Sequence, residues 1–366
     1  MASEFYISVL TAAGTEKRLI TDYLSLVYTR SVNDFDYCVF QLGDNHPAIT
    51  DLVDKAQIEI YRRNVDYGID WYRDFVGLLR KPTDFATDNE GRTVATFAAM
   101  DILGQLAWRT IAWYTGVTDR SEFTSIKAET IMKNLVKYNA GSLALASNGR
   151  IRDAVITGIT TETDSARGNT KSWSCAPEDN LLETLQKLVA AGAGGDFALV
   201  KTGAQTFEFR FYPGQLGTDR TATVVFSLAN GNMTEPHYVV DYTEEKTVAI
   251  VGGEGKGADR VVVVRNSAAF NSSTNNIETF VNGSSYKTVT ALEAVGDGEL
   301  YDRQARPALT FKPLQTKSTA YGLHYFLGDL VSAEYRGVTT TQKIQRVTIS
   351  HNEGGAEDVA VECVAI

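Results

Sequence analysis

The feature that most constrains the fold of this chain is the alternation of apolar and polar residues within residues 36–82. Successive side chains of a strand point to opposite faces, so apolar residues at every second position predict one buried face. Tyr37 and Val39 are such a pair in the first predicted strand, and Val76 and Leu78 are such a pair in the third. The predicted elements are strands at residues 37–42, 56–62 and 71–79 and a short helical turn at residues 45–48.

The strand pattern extends over the whole of the first hundred residues. Further strands are predicted at residues 5–10 and 93–99, and residues 17–28 hold one or two more. Antiparallel strands in succession must hide their outer edges, and a small barrel or a sandwich does this with the least chain.

The middle of the chain mixes helical and strand patterns. Apolar residues spaced three or four apart predict helices at residues 127–138, between Pro177 and Gly192, and at residues 285–300. Residues 160–174 are polar and rich in Gly, Ser and Thr, which is typical of an exposed loop. Apolar residues at every second position predict strands at residues 197–200, 206–212, 221–229, 239–251 and 260–265.

The last part of the chain returns to strands. The fold class is therefore α+β and mainly β, with two small antiparallel β-barrel modules joined by mixed α/β insert domains. The predicted closing strands are residues 308–314, 325–336, 341–350 and 359–364. The predicted divisions are a first barrel module at residues 1–100, a helical and α/β insert at 101–215, a second mixed insert with a hairpin and a helix at 216–305, and the closing strands of a second barrel module at 306–366.

Charge and cysteine content exclude several classes of protein. With 45 acidic and 35 basic residues the formal charge is −10, which argues against a protein that grips nucleic acid through its phosphates. Three widely spaced cysteines predict neither a disulfide framework nor a metal site. The first residues lack the pattern of a signal peptide, and no apolar run is long enough to cross a bilayer, so we expect synthesis in the cytoplasm without membrane anchoring.

Residues with catalytic or binding chemistry are few and scattered. The four histidines, His46, His237, His324 and His351, stand outside any metal-binding spacing, and we predict no metal ligand, cofactor-binding or catalytic residue. The glycine-rich run at residues 252–260 lacks the Lys-Ser/Thr ending of a phosphate loop and lies between two strands, which favours a hairpin.

Paired acidic residues and aromatic residues leave some alternatives open. Glu244–Glu245 and Glu357–Asp358 lie in polar turns, where solvated charge is expected, although a pair of distant carboxylates acting on a glycan remains an open alternative. Aromatic side chains can stack on sugars or bases, and core packing is the preferred explanation for Phe207, Phe209 and Phe211. Trp71–Tyr72 is the other aromatic pair, and Trp108 and Trp113 lie in a helical-looking apolar segment.

Three short motifs carry a resemblance to a known family. Residues 36–82, with Ile58–Arg62 and Trp71–Leu79, resemble the first barrel of the tail baseplate hub proteins of bacteriophages with contractile or siphophage-type tails and of related injection systems. Residues 252–260 resemble a glycine-rich, Arg-ended hairpin of the middle region of those proteins. Leu327–Val331 and Ile344–Ile349 look like their closing barrel.

This resemblance implies a structural hub with no enzymatic activity, located in the virion tail baseplate. The two barrels, resembling tail-tube proteins, would give a homotrimer a pseudo-sixfold ring that joins the sixfold tail tube above to the threefold spike below, with baseplate wedge proteins as further partners. Three copies at −10 each carry −30 in total, which would let DNA pass through the lumen without specific binding. Ile58–Arg62 and Trp71–Leu79 are expected to turn their outer edges toward a neighbouring subunit.

Two other functions remain open from the sequence. A tail-tip enzyme that degrades the cell envelope requires paired carboxylates in a cleft, and a glycan-binding protein requires exposed aromatic residues. Only four tryptophans are present, which weakens the glycan-binding alternative.

Overall fold

The computed structural model describes residues 3–82, 84–87, 89, 91–112, 121–148, 158–284, 286, 288–305, 307–352, 355 and 357–366. The chain forms two compact units, one of residues 1–235 with 311–366 and the other of residues 236–310. In the described part of the chain, no helix is both long and apolar enough to span a membrane.

The first hundred residues form strands, as the alternation predicts. The strands at residues 5–10, 37–42, 56–62, 71–79 and 93–99 are confirmed, and residues 17–28 contribute to two strands. The elements are β1 (Ser3–Leu10), β2 (Glu16–Ile20), β3 (Ser25–Ser31), β4 (Tyr37–Gly43), β5 (Gln57–Asn64), β6 (Ile69–Lys81), β7 (Phe85–Thr87) and β8 (Thr93–Asp101), with a short 3₁₀ turn at Pro47–Asp51.

The insert that follows contains two helices over short sheets. Both helices are confirmed, and the buried stripe of the first includes Ile131, Leu135 and Val136. The second begins at Leu181 rather than near Pro177, because Asn180 is its N-cap and accepts a hydrogen bond from the Glu183 N–H. The elements are β9 (Ser121–Lys127), α1 (Ala128–Asn139), β10 (Ile159–Thr161), β11 (Thr170–Cys175), α2 (Leu181–Ala190), β12 (Gly195–Lys201), β13 (Phe207–Pro213) and β14 (Val225–Ser227).

Two predictions for the insert are wrong. Residues 160–174 are not one exposed loop, because β10 and β11 occupy its ends; β11 pairs with β9, a partner too far away in sequence to be read from the local pattern. The strand expected at 221–229 shrinks to β14, because Arg220 starts a turn in which its C=O accepts hydrogen bonds from the N–H groups of residues 223 and 224. The expectation for Trp113 lies outside the described residues, and Trp108 follows a 3₁₀ turn at Ile102–Gln105.

The second unit is a three-stranded sheet with one helix. The sheet order is β17-β16-β18, and α3 packs on one face, where Gly296 lies against the Val251 and Arg265 side chains. The strand expected at 239–251 is interrupted by a turn, and the predicted helix is confirmed from Val289 onward. The elements of this part of the chain are β15 (Met233–Val240), β16 (Val248–Gly252), β17 (Val262–Asn266), β18 (Glu278–Asn282), α3 (Val289–Asp302) and β19 (Pro307–Pro313), of which β15 and β19 form a separate two-stranded sheet.

The closing residues complete the sheet that the first residues begin. They form β20 (Leu330–Tyr335), β21 (Val338–Asn352) and β22 (Asp358–Ala365). One twelve-stranded sheet runs in the order β14-β20-β21-β3-β4-β8-β6-β5-β1-β2, with β22 also on β21 and β7 also on β8. All its pairs are antiparallel except β14 with β20. The strand pairs of the described residues do not close into a barrel. The predicted mainly β, α+β fold class is therefore confirmed, whereas the prediction of two separate barrels is not confirmed.

The buried faces of two strands differ from the expected ones. In β4 the core side chains are Cys38, Phe40 and Leu42, so Tyr37 and Val39 lie on the exposed face. In β6 both faces of residues 75–79 are covered, because Val76 packs against the apolar core of the insert while Phe75 and Leu79 lie in the core of the sheet.

The expectation that β5 and β6 offer edges to a neighbouring subunit is wrong for β5. β5 is hydrogen-bonded to β1 on one side and to β6 on the other, and β6 is bonded to β5 and β8. β5 is therefore an interior strand along its whole length, whereas β6 is paired with β8 only over residues 77–81, so for the part of β6 before Gly77 the expectation stays a prediction.

Candidate interaction surface

Three of the four histidines make local contacts, and the fourth is exposed. His46 Nδ1 accepts a hydrogen bond from the Ala48 N–H at 3.1 Å, and its Nε2 lies 3.0 Å from Asp22. His324 accepts from Ala320 N–H at 3.0 Å, His351 lies 2.8 Å from the Tyr23 hydroxyl, and His237 is exposed. Within the described residues, no group of three His, Cys, Asp or Glu side chains could hold a metal ion.

The glycine-rich run at residues 252–260 is a hairpin, as expected. Gly252 is paired with Val262 across the turn that joins β16 to β17, and Gly253 N–H donates to the Val261 C=O at 2.7 Å. The Arg260 guanidinium donates to the Gly252 and Gly253 carbonyls at 2.9 and 3.0 Å and lies over the Phe280 ring. Arg260 therefore closes the hairpin.

The aromatic residues of β13 are core residues, which confirms their preferred explanation. Phe207, Phe209 and Phe211 are buried, and the Phe209 ring stacks on that of Phe197. Trp71 is on the surface, where the Arg63 guanidinium lies 4.9 Å from its ring.

A buried network of charged and hydroxyl groups lies between the first and the closing segments of the chain. Its first centre is the Asp74 carboxylate, which accepts hydrogen bonds from Tyr28 and Arg30 at 2.8 Å and from Tyr72 and Tyr321 at 3.2 Å. Burial, together with the charge of Asp74, raises the pKa of the Tyr28, Tyr72 and Tyr321 hydroxyls. The three tyrosines therefore remain protonated donors, and they hold a loop of the closing segment on β3 and β6.

The second centre of the network is Arg62, whose side chain is fully buried. Its Nε and Nη2 donate to the two carboxylate oxygens of Glu357 at 2.7 and 2.8 Å, and its Nη1 donates to Tyr72 at 2.9 Å. Glu357 was expected to be a solvated turn residue, and this expectation is wrong: the turn before β22 folds onto β5, and the carboxylate is buried against Arg62.

Asp101 ends β8 beside the same network. Its carboxylate accepts a hydrogen bond from the Leu103 N–H at 2.8 Å. Burial raises the pKa of this carboxyl to about 6, the charges of Asp36 and Asp34 add to the increase, and Arg30 opposes it.

The exposed face of the large sheet carries an uncharged area, which is bordered by Arg346 of β21 and by Asp358 and Glu362 of β22. Ser350, Val27, Val39 and Ala98 lie opposite one another on β21, β3, β4 and β8. Val27 is 39% exposed, Val39 38% and Tyr37 48%. We call this surface the neutral face; it consists of Ser25, Val27, Thr29, Tyr37, Val39, Gln41, Thr96, Ala98, Thr348 and Ser350.

Hydroxyl and amide groups on the neutral face bond to one another. Ser25 donates to Gln41 at 3.0 Å, Gln41 donates to Thr96 at 3.3 Å, and the hydroxyls of Thr29 and Thr348 lie 2.9 Å apart. A sheet face that remains in water ordinarily carries polar and charged residues, whereas an exposed apolar patch marks a contact surface. The sequence did contain a signal for this surface, namely the apolar residues Tyr37 and Val39. They were predicted to lie in the core because they are apolar.

Comparison with solved structures places the fold among phage tail proteins. The 43 kDa tail protein of prophage MuSo2 from Shewanella oneidensis is similar with a TM-score of 0.59 at 10% identity, over 99% of this chain and 97% of that one. The prophage tail protein gp18 from Listeria monocytogenes EGD-e matches at 0.57 and 11%, over 99% and 94%. A chain of the PdpA–VgrG complex matches at 0.57 and 9%, over 99% of this chain and 65% of that one.

A search of curated proteins finds no match. The family model described as Siphovirus ReqiPepy6 Gp37-like protein matches residues 7–363, which is nearly the whole chain. The family resemblance to phage tail and baseplate proteins that three short motifs indicated is therefore confirmed. The chain belongs to the Siphovirus ReqiPepy6 Gp37-like protein family.

Proposed function

We propose that this protein is the structural hub of a phage tail baseplate and has no enzymatic role. Three copies form a ring that joins the sixfold tail tube to the threefold central spike and lines the channel for DNA or cargo. We also propose that each copy has two barrel-like halves and that its domain boundaries lie near residues 100, 215 and 305. The proposal further includes that the protein is synthesised in the bacterial cytoplasm and that it does not bind DNA specifically.

The observation that carries the proposal is the neutral face. In a chain with 80 charged residues, the neutral face joins uncharged side chains of four adjacent strands, among them Val27, Tyr37 and Val39. A second copy that covers this surface would remove apolar area from water without having to desolvate unpaired charge. We assign the neutral face to the contact between neighbouring copies in the ring.

The tube and spike partners rest on the family and on likeness of fold. The matched tail proteins share nearly their whole length with this chain, which supports assembly with other tail components. One similar chain was solved in the PdpA–VgrG complex, so this fold occurs in a chain that binds another protein. Tube protein above, spike below and wedge proteins at the side are the partners we propose.

The test is the mass of the purified chain in solution, measured by mass photometry and sedimentation. We expect a trimer, or a monomer that becomes a trimer when its tube or spike partner is added. Val39→Glu places a charge in the centre of the neutral face and should shift the trimer to monomer, since an unpaired buried carboxylate costs several kcal/mol.

Val53→Glu is the matched control. Val53 is 55% exposed and lies outside the neutral face, so the same substitution should leave the trimer intact. A stable monomer that binds neither tube nor spike would contradict the hub. A trimer that tolerates Val39→Glu as well as Val53→Glu would contradict the assignment of the neutral face.

A further inference from the structure

A pocket of about 280 Å³ lies in the second unit, at the end of α3. It is lined by Leu300 and Tyr301 of the helix, by Gln304 just beyond it, and by the turn of residues 266–269 that follows β17. Pockets for small molecules measure about 300 to 1,000 Å³, so this one suits a ligand of a single ring.

Three of the polar side chains of the pocket are available to a ligand. Among the described residues, the side chains of Asn266, Gln304 and Glu245 have no hydrogen-bond partner, although all three line the pocket. The two amides offer donors and acceptors, and the carboxylate offers acceptors. A ligand with several hydroxyl groups can bond to all three.

The charges of the pocket select against anions. The Asp297 carboxylate is held by Arg265, with Nε–Oδ1 at 2.7 Å and Nη2–Oδ2 at 3.0 Å, so this pair is internally compensated. Among the described residues that line the pocket, Glu245 carries the remaining charge, and this charge is negative. A phosphate or an acidic sugar would therefore be repelled.

The apolar part of the pocket is an aromatic ring with an accessible surface. Tyr301 is 63% exposed, whereas the adjacent Leu300 is buried. The face of an aromatic ring carries partial negative charge and attracts the weakly positive C–H groups of a ring placed over it. A pyranose presents such C–H groups on one side and hydroxyls around its rim.

We propose that this pocket binds one neutral hexopyranose residue of a glycan, stacked on Tyr301 and hydrogen-bonded by Asn266, Gln304 and Glu245. The second unit would then contribute recognition of a surface saccharide in addition to the structural role. This inference does not depend on the hub proposal, because it uses only residues of the second unit.

The experiment is saturation-transfer-difference NMR on the full chain. The neutral probes are the methyl glycosides of glucose, galactose, mannose and N-acetylglucosamine, and the anionic probe is the methyl glycoside of N-acetylneuraminic acid. We expect at least one neutral glycoside to bind in the millimolar range that suits so small a ligand, and the anionic probe not to bind. Tyr301→Ala should weaken that binding at least about five-fold, since a stacked ring is lost.

Tyr242→Ala is the matched control, because Tyr242 is 62% exposed in the same unit but does not line the pocket. It should bind the glycoside as the wild type does. Gln304→Ala removes a polar contact only, and it keeps the inference testable if Tyr301→Ala alters the fold, which circular dichroism reports. No binding of any neutral probe, unchanged binding by both Tyr301→Ala and Gln304→Ala, or preferred binding of the anionic probe would overturn the inference.

Discussion

Arg62 carries a positive charge at a position without solvent exposure, and Glu357 compensates it through two hydrogen bonds. Removing two charges from water is costly, and such a pair repays this cost only if its geometry is good and its other polar atoms are bonded. Here Tyr72 and the Tyr321 carbonyl accept bonds from the remaining guanidinium nitrogen. The main effect of the pair is therefore to fix the position of the closing segment on β5, and its net contribution to the free energy of unfolding is small.

Removal of one partner should cost far more than removal of both. Arg62→Met leaves the Glu357 carboxylate buried without its cation, and we expect a loss of about 3 to 5 kcal/mol in the free energy of unfolding. The double variant Arg62→Met/Glu357→Gln should lose clearly less than the sum of the two single variants. Urea unfolding of the four proteins gives the coupling energy, and additive losses would contradict the role of the pair.

Asp101 predicts a dependence of stability on pH. Its carboxyl has a pKa of about 6 in the folded protein against an ordinary value of 3.8, so the folded state holds this proton more tightly. The stability that the proton confers is complete below about pH 4, is lost as the pH rises toward 6, and stays lost above that.

Asp101→Asn should reveal this dependence, because asparagine imitates the protonated acid and can still accept the bond from Leu103 N–H. At pH 8 we expect the variant to be more stable than the wild type by roughly 1 to 2 kcal/mol, a value reduced to allow for the partial exposure of the carboxyl group. Near pH 4 we expect the two proteins to be equally stable. Urea unfolding at both pH values is the measurement. Asp70→Asn, at an exposed carboxylate, is the control, and a pH-independent difference for Asp101→Asn would refute the assignment.

At the scale of elements, two glycines should respond in opposite ways to substitution by alanine, because one ends a helix and the other lies inside one. Gly192 follows α2 with φ +82°, a conformation that ends the helix and that other residues adopt at a cost. Gly298 lies within α3 with no neighbour within 4 Å of an added Cβ. The same substitution should therefore have opposite signs at these two positions.

We expect Gly192→Ala to lower the free energy of unfolding by about 1 kcal/mol and Gly298→Ala to raise it by about 0.5 to 1 kcal/mol. Thermal unfolding followed by circular dichroism would show the two shifts. A stabilising Gly192→Ala would mean that the end of α2 does not require the left-handed conformation.

Elements with strong local patterns could be predicted from the sequence, and their partners could not. The helix α1 and the strands β4 and β13 follow from spacing alone, within one or two residues. The pairing of β11 with β9, or of β3 with β21, depends on contacts between distant segments that no local pattern records. The neutral face shows why pattern also fails locally: Tyr37 and Val39 alternate as core residues do, but they face outward because Cys38, Phe40 and Leu42 fill the core.

The candidate sites were less predictable than the fold. Glu357 and Arg62 are charged residues in ordinary polar and strand contexts, and only the folded chain brings them together. The pocket at Tyr301 combines residues from three places in the second unit, so its chemistry is absent from any short motif.

At the scale of the whole molecule, the net charge opposes the association of copies, whereas the neutral face favours it. Each copy carries −10, so copies repel one another, while the neutral face offers contact without charge. We expect the fraction of trimer to rise when the salt concentration is raised from low values to about 0.15 M, because the repulsion is then screened beyond about 8 Å. Sedimentation at the two salt concentrations tests this, and dissociation by salt would indicate that ion pairs hold the copies together.

The pairing of β3 with β21 also sets the time at which the sheet can form. Thr29 and Thr348 touch on the neutral face but are 319 positions apart in the chain. At about 5 to 20 residues per second, a ribosome needs roughly 15 to 60 s to synthesise the residues between them. During that time β3 has no partner on this side, and the neutral face is incomplete. A nascent chain therefore cannot present the complete face to another copy, and the order of synthesis itself delays association until each subunit has folded.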